Sequence, residues 1–237
     1  MLRKTKKYLK ILINLFLYWD GYTPQYIFFE KQKLIYIQIE KCWSSSILEC
    51  LKVLLPKEKQ TNDIMKIHWQ WFKKIKKITK NYLSNEYTIF TVVRDPLERL
   101  ISCYQQKYWP SSELKLTWKW IFDDYLFWYL KNPTSLEDFL TKILKIPVWL
   151  MEPHFKPMFS RIQVKNPQKN VLILNLDNLS KDFEPIRTKY KLPALKHLND
   201  SHTKNKNPIK ISNTLLEKIK KIYKSDFELY DYAIHKK

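Results

Sequence analysis

One glycine, Gly21, stands in a chain of 237 residues. That scarcity excludes three glycine-dependent motifs at once, because G-x-x-x-x-G-K-[ST], G-x-G-x-x-G and G-x-S-x-G cannot be written anywhere in the chain. Any cradle for a phosphate has to be built without glycine. Cysteine is scarce too. Cys42, Cys50 and Cys103 are widely spaced, with no C-x-x-C pair and no histidine at a ligand spacing, so neither a disulfide framework nor a zinc site is indicated and no metal is expected. Long apolar runs are also missing. The start, MLRKTKKYLKILINLFLYWDGYTP, joins a basic stretch to an apolar run of about ten residues, where a membrane span needs about 20. The following WDGY lacks the small-residue pattern of a signal cleavage site. A packed or amphipathic first segment is the expectation, and no transmembrane span.

What the chain does have is lysine. Lysine and arginine outnumber acidic residues 43 to 23, for a formal charge of +20. Such a balance favours polyanions, anionic small molecules or a membrane surface, and it equally describes a solvated basic face. At 45% hydrophobic content the chain supplies one sizeable core. Residues 1–30 read as an N-terminal helical or extended segment and 31–237 as a single domain.

The apolar pattern alternates between strands and helices. LIYIQI (34–39) is a short β-rich run followed by the polar EKCWSSS and the helix-like ILECLKVLL. YTIFTVV (87–93) is a second such run, followed by a polar corner and PLERLISCYQQKY; VLILNL (171–176) is a third. Continuous apolar strands alternating with helices predict an α/β domain with a mostly parallel sheet. The closing stretch ISNTLLEKIKKIYKSDFELYDYAI predicts one amphipathic helix capped by Ser212. The aromatic-rich section 109–160 predicts helices packed on one face of the sheet.

Ligands of open α/β sheets bind beyond the carboxyl ends of the strands, and both polar corners fall there. In the first, Lys41 follows the strand and Ser44, Ser45 and Ser46 open the helix, an arrangement suited to an anion. Simple capping is the alternative, since Ser46-x-x-Glu49 fits a capping box. In the second, Asp95, Pro96 and Glu98 are explained as N-cap, first helical position and third helical position. Arg94 then stands at the strand end where a guanidinium can grip a phosphate, with an ion pair to Asp95 or Glu98 as the alternative. Ser102 falls away from the face formed by Leu97, Leu100, Ile101, Tyr104 and Tyr108, and is not required for the core.

IQIEKCWSSSI and VVRDPLERLISCYQQKY resemble the two cofactor motifs of sulfotransferases that use 3′-phosphoadenosine-5′-phosphosulfate (PAPS), in the carbohydrate branch called sulfotransferase family 2. PHFKPM (153–158) is similar to a family segment of the type H-W/F-x-P-Q, and KIKKIYKSDFELYDY is similar to the family's closing motif. The resemblance covers the chain from about residue 30 onward. It implies a three-layer, P-loop-like α/β fold with a central, mostly parallel sheet flanked by helices, and sulfuryl transfer from PAPS to a hydroxyl of a glycan, without metal. It implies that Lys41, Ser44, Ser45 and Ser46 bind the 5′-phosphosulfate, with Lys41 also neutralising the leaving oxygen, and that Arg94 and Ser102 hold the 3′-phosphate. Of the five histidines (His68, His154, His197, His202 and His235), His68 lies between the motifs, where relatives carry a base, and His154 falls to the acceptor site. Golgi relatives carry a membrane anchor that this chain lacks, so a cytoplasmic enzyme is expected, and no specific nucleic-acid partner.

The chain departs from the family at Glu40, where proline is usual, and at Trp43, where a small residue is usual. A carboxylate beside a phosphate is unfavourable unless it turns away, and an indole needs room. Two rival readings follow: a nucleotide-binding sulfotransferase fold without turnover, and a basic module for nucleic acid or other polyanions, prompted by the charge and the aromatics.

Overall fold

The computed structural model describes residues 25–60, 74–75, 78–79, 82–83, 86–108, 130, 133–196 and 211–235. Five strands form one sheet: β1 (Gln25–Phe29), β2 (Leu34–Gln38), β3 (Lys74–Ile75), β4 (Thr88–Val93) and β5 (Leu172–Asn175), in the order β3-β1-β2-β4-β5. β2 pairs parallel with β4 and β4 with β5, while β1 runs antiparallel to both β2 and β3. Four of the five strands therefore point one way and β1 alone is reversed. The three runs read as strands in the sequence are β2, β4 and β5. β1 is an addition: YIFF is joined to β2 by a tight hairpin, in which the Lys33 N–H donates to the Glu30 carbonyl.

Every residue of β2 is buried, and so is all of β4 beyond Thr88. Successive strand side chains point to opposite faces, so burial without alternation means that both faces are covered. The helices among the described residues are α1 (Ser44–Leu51), α2 (Pro96–Lys107), α3 (Leu136–Ile143), the single turns α4 (Phe159–Ile162), α5 (Pro167–Asn170) and α6 (Leu179–Asp182), then α7 (Glu184–Tyr190), α8 (Asn213–Ile222) and α9 (Lys224–His235). Two apolar cores result. One is built on the sheet with α1, α7 and α9; the other joins α2, α3 and α8 through Leu100, Tyr104, Phe139, Phe155 and Ile219. In the second, the Phe139 ring lies 4.8 Å from that of Tyr108 and 5.5 Å from that of Tyr104. Of the aromatic-rich section 109–160, residues 109–129 lie outside the described residues.

The closing stretch is two helices rather than one. The chain breaks at Tyr223, whose buried hydroxyl donates to the Phe155 carbonyl at 2.5 Å. The break swings Asp226 against the start of α4, where its carboxylate accepts from the Met158 and Phe159 N–H groups at 2.7 and 2.8 Å. Burial lifts that carboxyl to about 6, with the two N–H groups and Arg99 opposing. Ser212 occupies the N-cap position of α8 without a side-chain cap; its N–H instead donates to Glu137. Among the described residues no helix is long and apolar enough to cross a membrane.

Candidate active site at the carboxyl ends of β2, β4 and β5

Because β2, β4 and β5 are adjacent and parallel, the segments that follow them emerge along one edge of the sheet. Lys41 to Ser46 follow β2, Arg94 to Glu98 follow β4, and Leu176 to Lys181 follow β5. A cleft of about 440 Å³ opens there, within the size range of small-molecule sites. It is lined by Trp43 from the first segment, Arg94 and Glu98 from the second, and Leu176 to Lys181 from the third.

The first corner is built in strained backbone. Lys41 and Trp43 have φ of 68° and 56°, left-handed values that cost a non-glycine residue about 1–2 kcal/mol each. With no glycine to use, the chain bends here on ordinary residues. The bend starts α1 at Ser44, earlier than a capping box on Ser46 requires. Trp43 occupies the N-cap position, no side chain caps the helix, Ser46 is buried inside it, and Glu49 pairs with Lys52. The capping reading of Ser46 is thereby overturned. The leading N–H groups of an α-helix have no intrahelical partner and carry the positive end of its dipole, so α1 presents an anion-binding end at Ser44, Ser45 and Ser46.

Beside it lies Lys41, largely buried, its amine donating to Oε1 of Gln106 on α2. Burial, helped by the nearby cations Lys107, Arg94 and Arg99 and opposed by Cys103, brings its pKa down to about 7. An ammonium held this way is only half charged near neutrality, and an incoming anion restores its proton. Glu40 does turn away. Its Oε1 meets Arg161 on α4 at 3.0 Å, a side chain with 1% exposure; the cleft lining includes neither Glu40 nor Lys41, Ser44, Ser45, Ser46 and Ser102. Trp43 takes the opposite course and forms part of the cleft wall.

The second corner is conventional. The Asp95 carboxylate accepts from the Glu98 N–H at 2.8 Å and Pro96 fills the first helical position, as the sequence indicates. Arg94 is 8% exposed, and its Nε and Nη2 donate to one carboxylate oxygen of Glu98 at 3.3 and 3.2 Å. The ion-pair alternative for Arg94 is thus realised, with Glu98 half-exposed at the cleft wall. Ser102, one turn beyond Glu98 on α2, is buried at 5% exposure. The expectation that it falls away from the packed face is corrected: α2 is covered on that side as well.

Sequence reasoning passed over Arg99. It is 1% exposed, and its three nitrogens donate to the carbonyls of Glu40 (2.9 Å), Lys156 (2.9 Å) and Pro153 (2.8 Å). One guanidinium on α2 thereby fastens the backbone just before Lys41 to the turn that carries His154. The signal was present in the spacing R-D-P-x-x-R, but its meaning depends on contacts about 60 residues away in each direction. Also passed over were Leu176 to Lys181, where Asn175 accepts from the Asp177 N–H at 2.9 Å and Tyr230 donates to Asp177 at 2.6 Å.

His154 sits in a turn with Glu152. Its Nδ1 is 2.5 Å from Glu152 Oε1, and its N–H donates to Oε2 at 2.9 Å. His68, His197 and His202 lie outside the described residues, and His235 is at the exposed end of α9 bonded to the Asp231 carbonyl. The three cysteines are free and buried. Among the described residues no group of three or more histidine, cysteine or acidic side chains is placed to hold a metal ion.

No curated protein and no solved structure matches the chain. A family model described as sulfotransferase family matches residues 24–233, a span that takes in the whole sheet, both corners and the two closing helices. On that match the chain belongs to the sulfotransferase family, in its family 2 branch.

Proposed function

We propose that this sulfotransferase takes its sulfuryl group from PAPS and transfers it to a hydroxyl of a carbohydrate acceptor. The observation that carries the reading is the pairing of an uncapped helix end and a buried lysine at one corner with a buried arginine at the next, all on one sheet edge. PAPS supplies an activated sulfuryl group on a 5′-phosphate, together with a 3′-phosphate that serves for recognition. Ser44, Ser45 and Ser46 offer backbone N–H groups and hydroxyls to the 5′-phosphosulfate. Lys41 neutralises the charge that develops on the departing phosphate oxygen, where preorganised cations are most effective. Arg94 and Ser102 hold the 3′-phosphate, with phosphate displacing Glu98 from the guanidinium. Trp43 gives the nucleobase an aromatic wall, and stacking on such a wall is worth about 1–3 kcal/mol.

Arg94 and Lys181 on the cleft wall, the size of the cleft, and the turning of Glu40 toward Arg161 suit the cofactor, whose phosphate has to displace Glu98. In-line geometry and a base for the acceptor hydroxyl complete the chemistry. The base is a histidine: the resemblance nominates His68, which lies outside the described residues, and His154, on the acceptor side, is the second candidate. An anionic glycan would suit a surface with an excess of lysine.

The test is calorimetric titration with 3′-phosphoadenosine-5′-phosphate, the desulfated product, into wild type and Arg94→Ala. Micromolar binding by wild type that weakens about tenfold or more in the variant is expected from losing a charged hydrogen bond worth about 1.5–3 kcal/mol. Absence of binding by wild type sinks the reading and returns attention to the basic surface.

A further inference from the structure

We infer that His154, oriented by Glu152, is the group that takes the proton from the acceptor hydroxyl, so that the Arg99-bound turn 152–156 carries the acceptor half of the reaction. The inference rests on the reading that PAPS is the donor.

The geometry of the pair fixes its chemistry. Glu152 is largely buried, and burial alone would raise its carboxyl. The charge of His154, two hydrogen bonds from His154 and the charge of Lys107 outweigh burial and leave it below the usual glutamate range. An ionised carboxylate only accepts, so the histidine Nδ1 at 2.5 Å must carry the hydrogen. Fixing a hydrogen on Nδ1 leaves Nε2 as the ring nitrogen that can exchange a proton, the role a carboxylate plays for histidine in acid–base sites generally. A quarter of the His154 side chain remains exposed, so the ring reaches solvent where an acceptor arrives.

The pair is also held in place relative to the donor corner. The carbonyl before Lys41 and the carbonyl before His154 are bound by nitrogens of the same Arg99 guanidinium. Lys107 and Cys103, on the face of α2 that follows Arg99, each interact electrostatically with both Lys41 and Glu152. Lys41 and Glu152 therefore both lie close to the same stretch of α2, Cys103 to Lys107. In the transfer, the acceptor O–H proton passes to Nε2 as the acceptor oxygen bonds to sulfur and the bond from sulfur to the bridging phosphate oxygen breaks. The electron pair of that bond stays with the phosphate oxygen, beside Lys41.

The test is made on full-length protein labelled with ¹⁵N-histidine, with His154 resonances assigned by loss in His154→Asn. Long-range ¹H–¹⁵N spectra are expected to show the Nδ1–H tautomer in wild type and its loss in Glu152→Gln, which a merely structural role for the carboxylate does not require. Adding PAPS is expected to move the His154 ring resonances more than adding its desulfated product does, since the difference between the two is the sulfuryl group. With water standing in for the acceptor, slow release of [³⁵S]sulfate from PAPS should fall at least tenfold in His154→Asn, while affinity for the desulfated product stays within twofold. An Nε2–H tautomer in wild type, no PAPS-specific shift, or sulfate release unchanged in His154→Asn overturns the inference. If wild type fails to bind the desulfated product at all, the donor reading has failed and the base role falls with it. That result is distinguishable because the tautomer in the protein alone is read without any ligand.

Discussion

The two corners solve the same problem in opposite ways. At the end of β4 the chain uses a sound N-terminus: Asp95 caps, Pro96 presets the first turn, and little backbone polarity is left over, so the ligand-facing group is a side chain, Arg94. At the end of β2 the helix begins on a left-handed tryptophan with no side-chain cap, so what faces the ligand is the helix end itself, with a lysine kept short of full charge by burial. On the proposed reading the stable corner reads a phosphate by side chain and the strained corner holds the reacting group by backbone. Strain would then be concentrated where bonds change, in keeping with backbone strain collecting at functional sites.

Four substitutions would break or sharpen that contrast. The largest effect is expected from Arg99→Met, which joins the corners. Three buried carbonyls lose their donor, so stability in urea denaturation should drop by at least about 3 kcal/mol, and Arg99→Lys, with one ammonium in place of a planar fork, should not restore it.

Next comes Lys41→Met. Donor turnover should fall by about a hundredfold while the melting temperature at pH 6 rises, because a buried ammonium is removed. The sign follows from the lowered pKa: the folded protein releases this proton at about 7 and the unfolded chain at about 10.4. The cost of burying the charge is therefore complete below 7 and shrinks as pH climbs toward the unfolded value. The stability lead of Lys41→Met should shrink over the same window, and thermal melts from pH 6 to 10 would show it.

The same group predicts a smaller, thermodynamic signal. At pH 8 the wild type should take up about one proton on binding PAPS, read as a dependence of calorimetric enthalpy on the ionisation enthalpy of the buffer, and Lys41→Met should show none. The smallest effect is expected at the sound corner. Glu98→Gln frees Arg94 of a half-exposed partner and should tighten the desulfated product about two- to threefold, as the loss of a partly solvated ion pair allows.

The parts legible in the sequence are those decided locally. β2, β4 and β5 are read from unbroken apolar runs, and the start of α2 from D-P-L-E, because neighbours within four residues settle them. Ser46-x-x-Glu49 is the counterexample: a local pattern that fits a cap, overridden because Arg99 holds the Glu40 carbonyl and the chain turns at Lys41 and Trp43 instead. The break at Tyr223 was equally illegible, since nothing in KKIYKSD interrupts a helix. It is imposed from outside by the Phe155 carbonyl and by the α4 N–H groups that draw in Asp226. β1 was missed because its four apolar residues fall in the stretch read as the N-terminal segment 1–30, although Asp20-Gly21 and Pro24 set them off from the apolar start. At the site, Lys41, Arg94 and the three serines were found as residue types after strands. The Glu40–Arg161 pair, the Arg99 clasp and the Glu152–His154 pair are long-range or conformational, and only the folded chain displays them.

The Arg99 clasp also bears on the order of events during turnover. Two loops bonded to one planar, immovable group cannot tighten independently, so an ion settling on the Lys41 loop stiffens the turn behind His154, and an acceptor seated on that turn stiffens the loop. Linkage of this kind is reciprocal by thermodynamic necessity. The enzyme should therefore show mutual synergy between its two substrates in initial-rate patterns, each lowering the other's Michaelis constant.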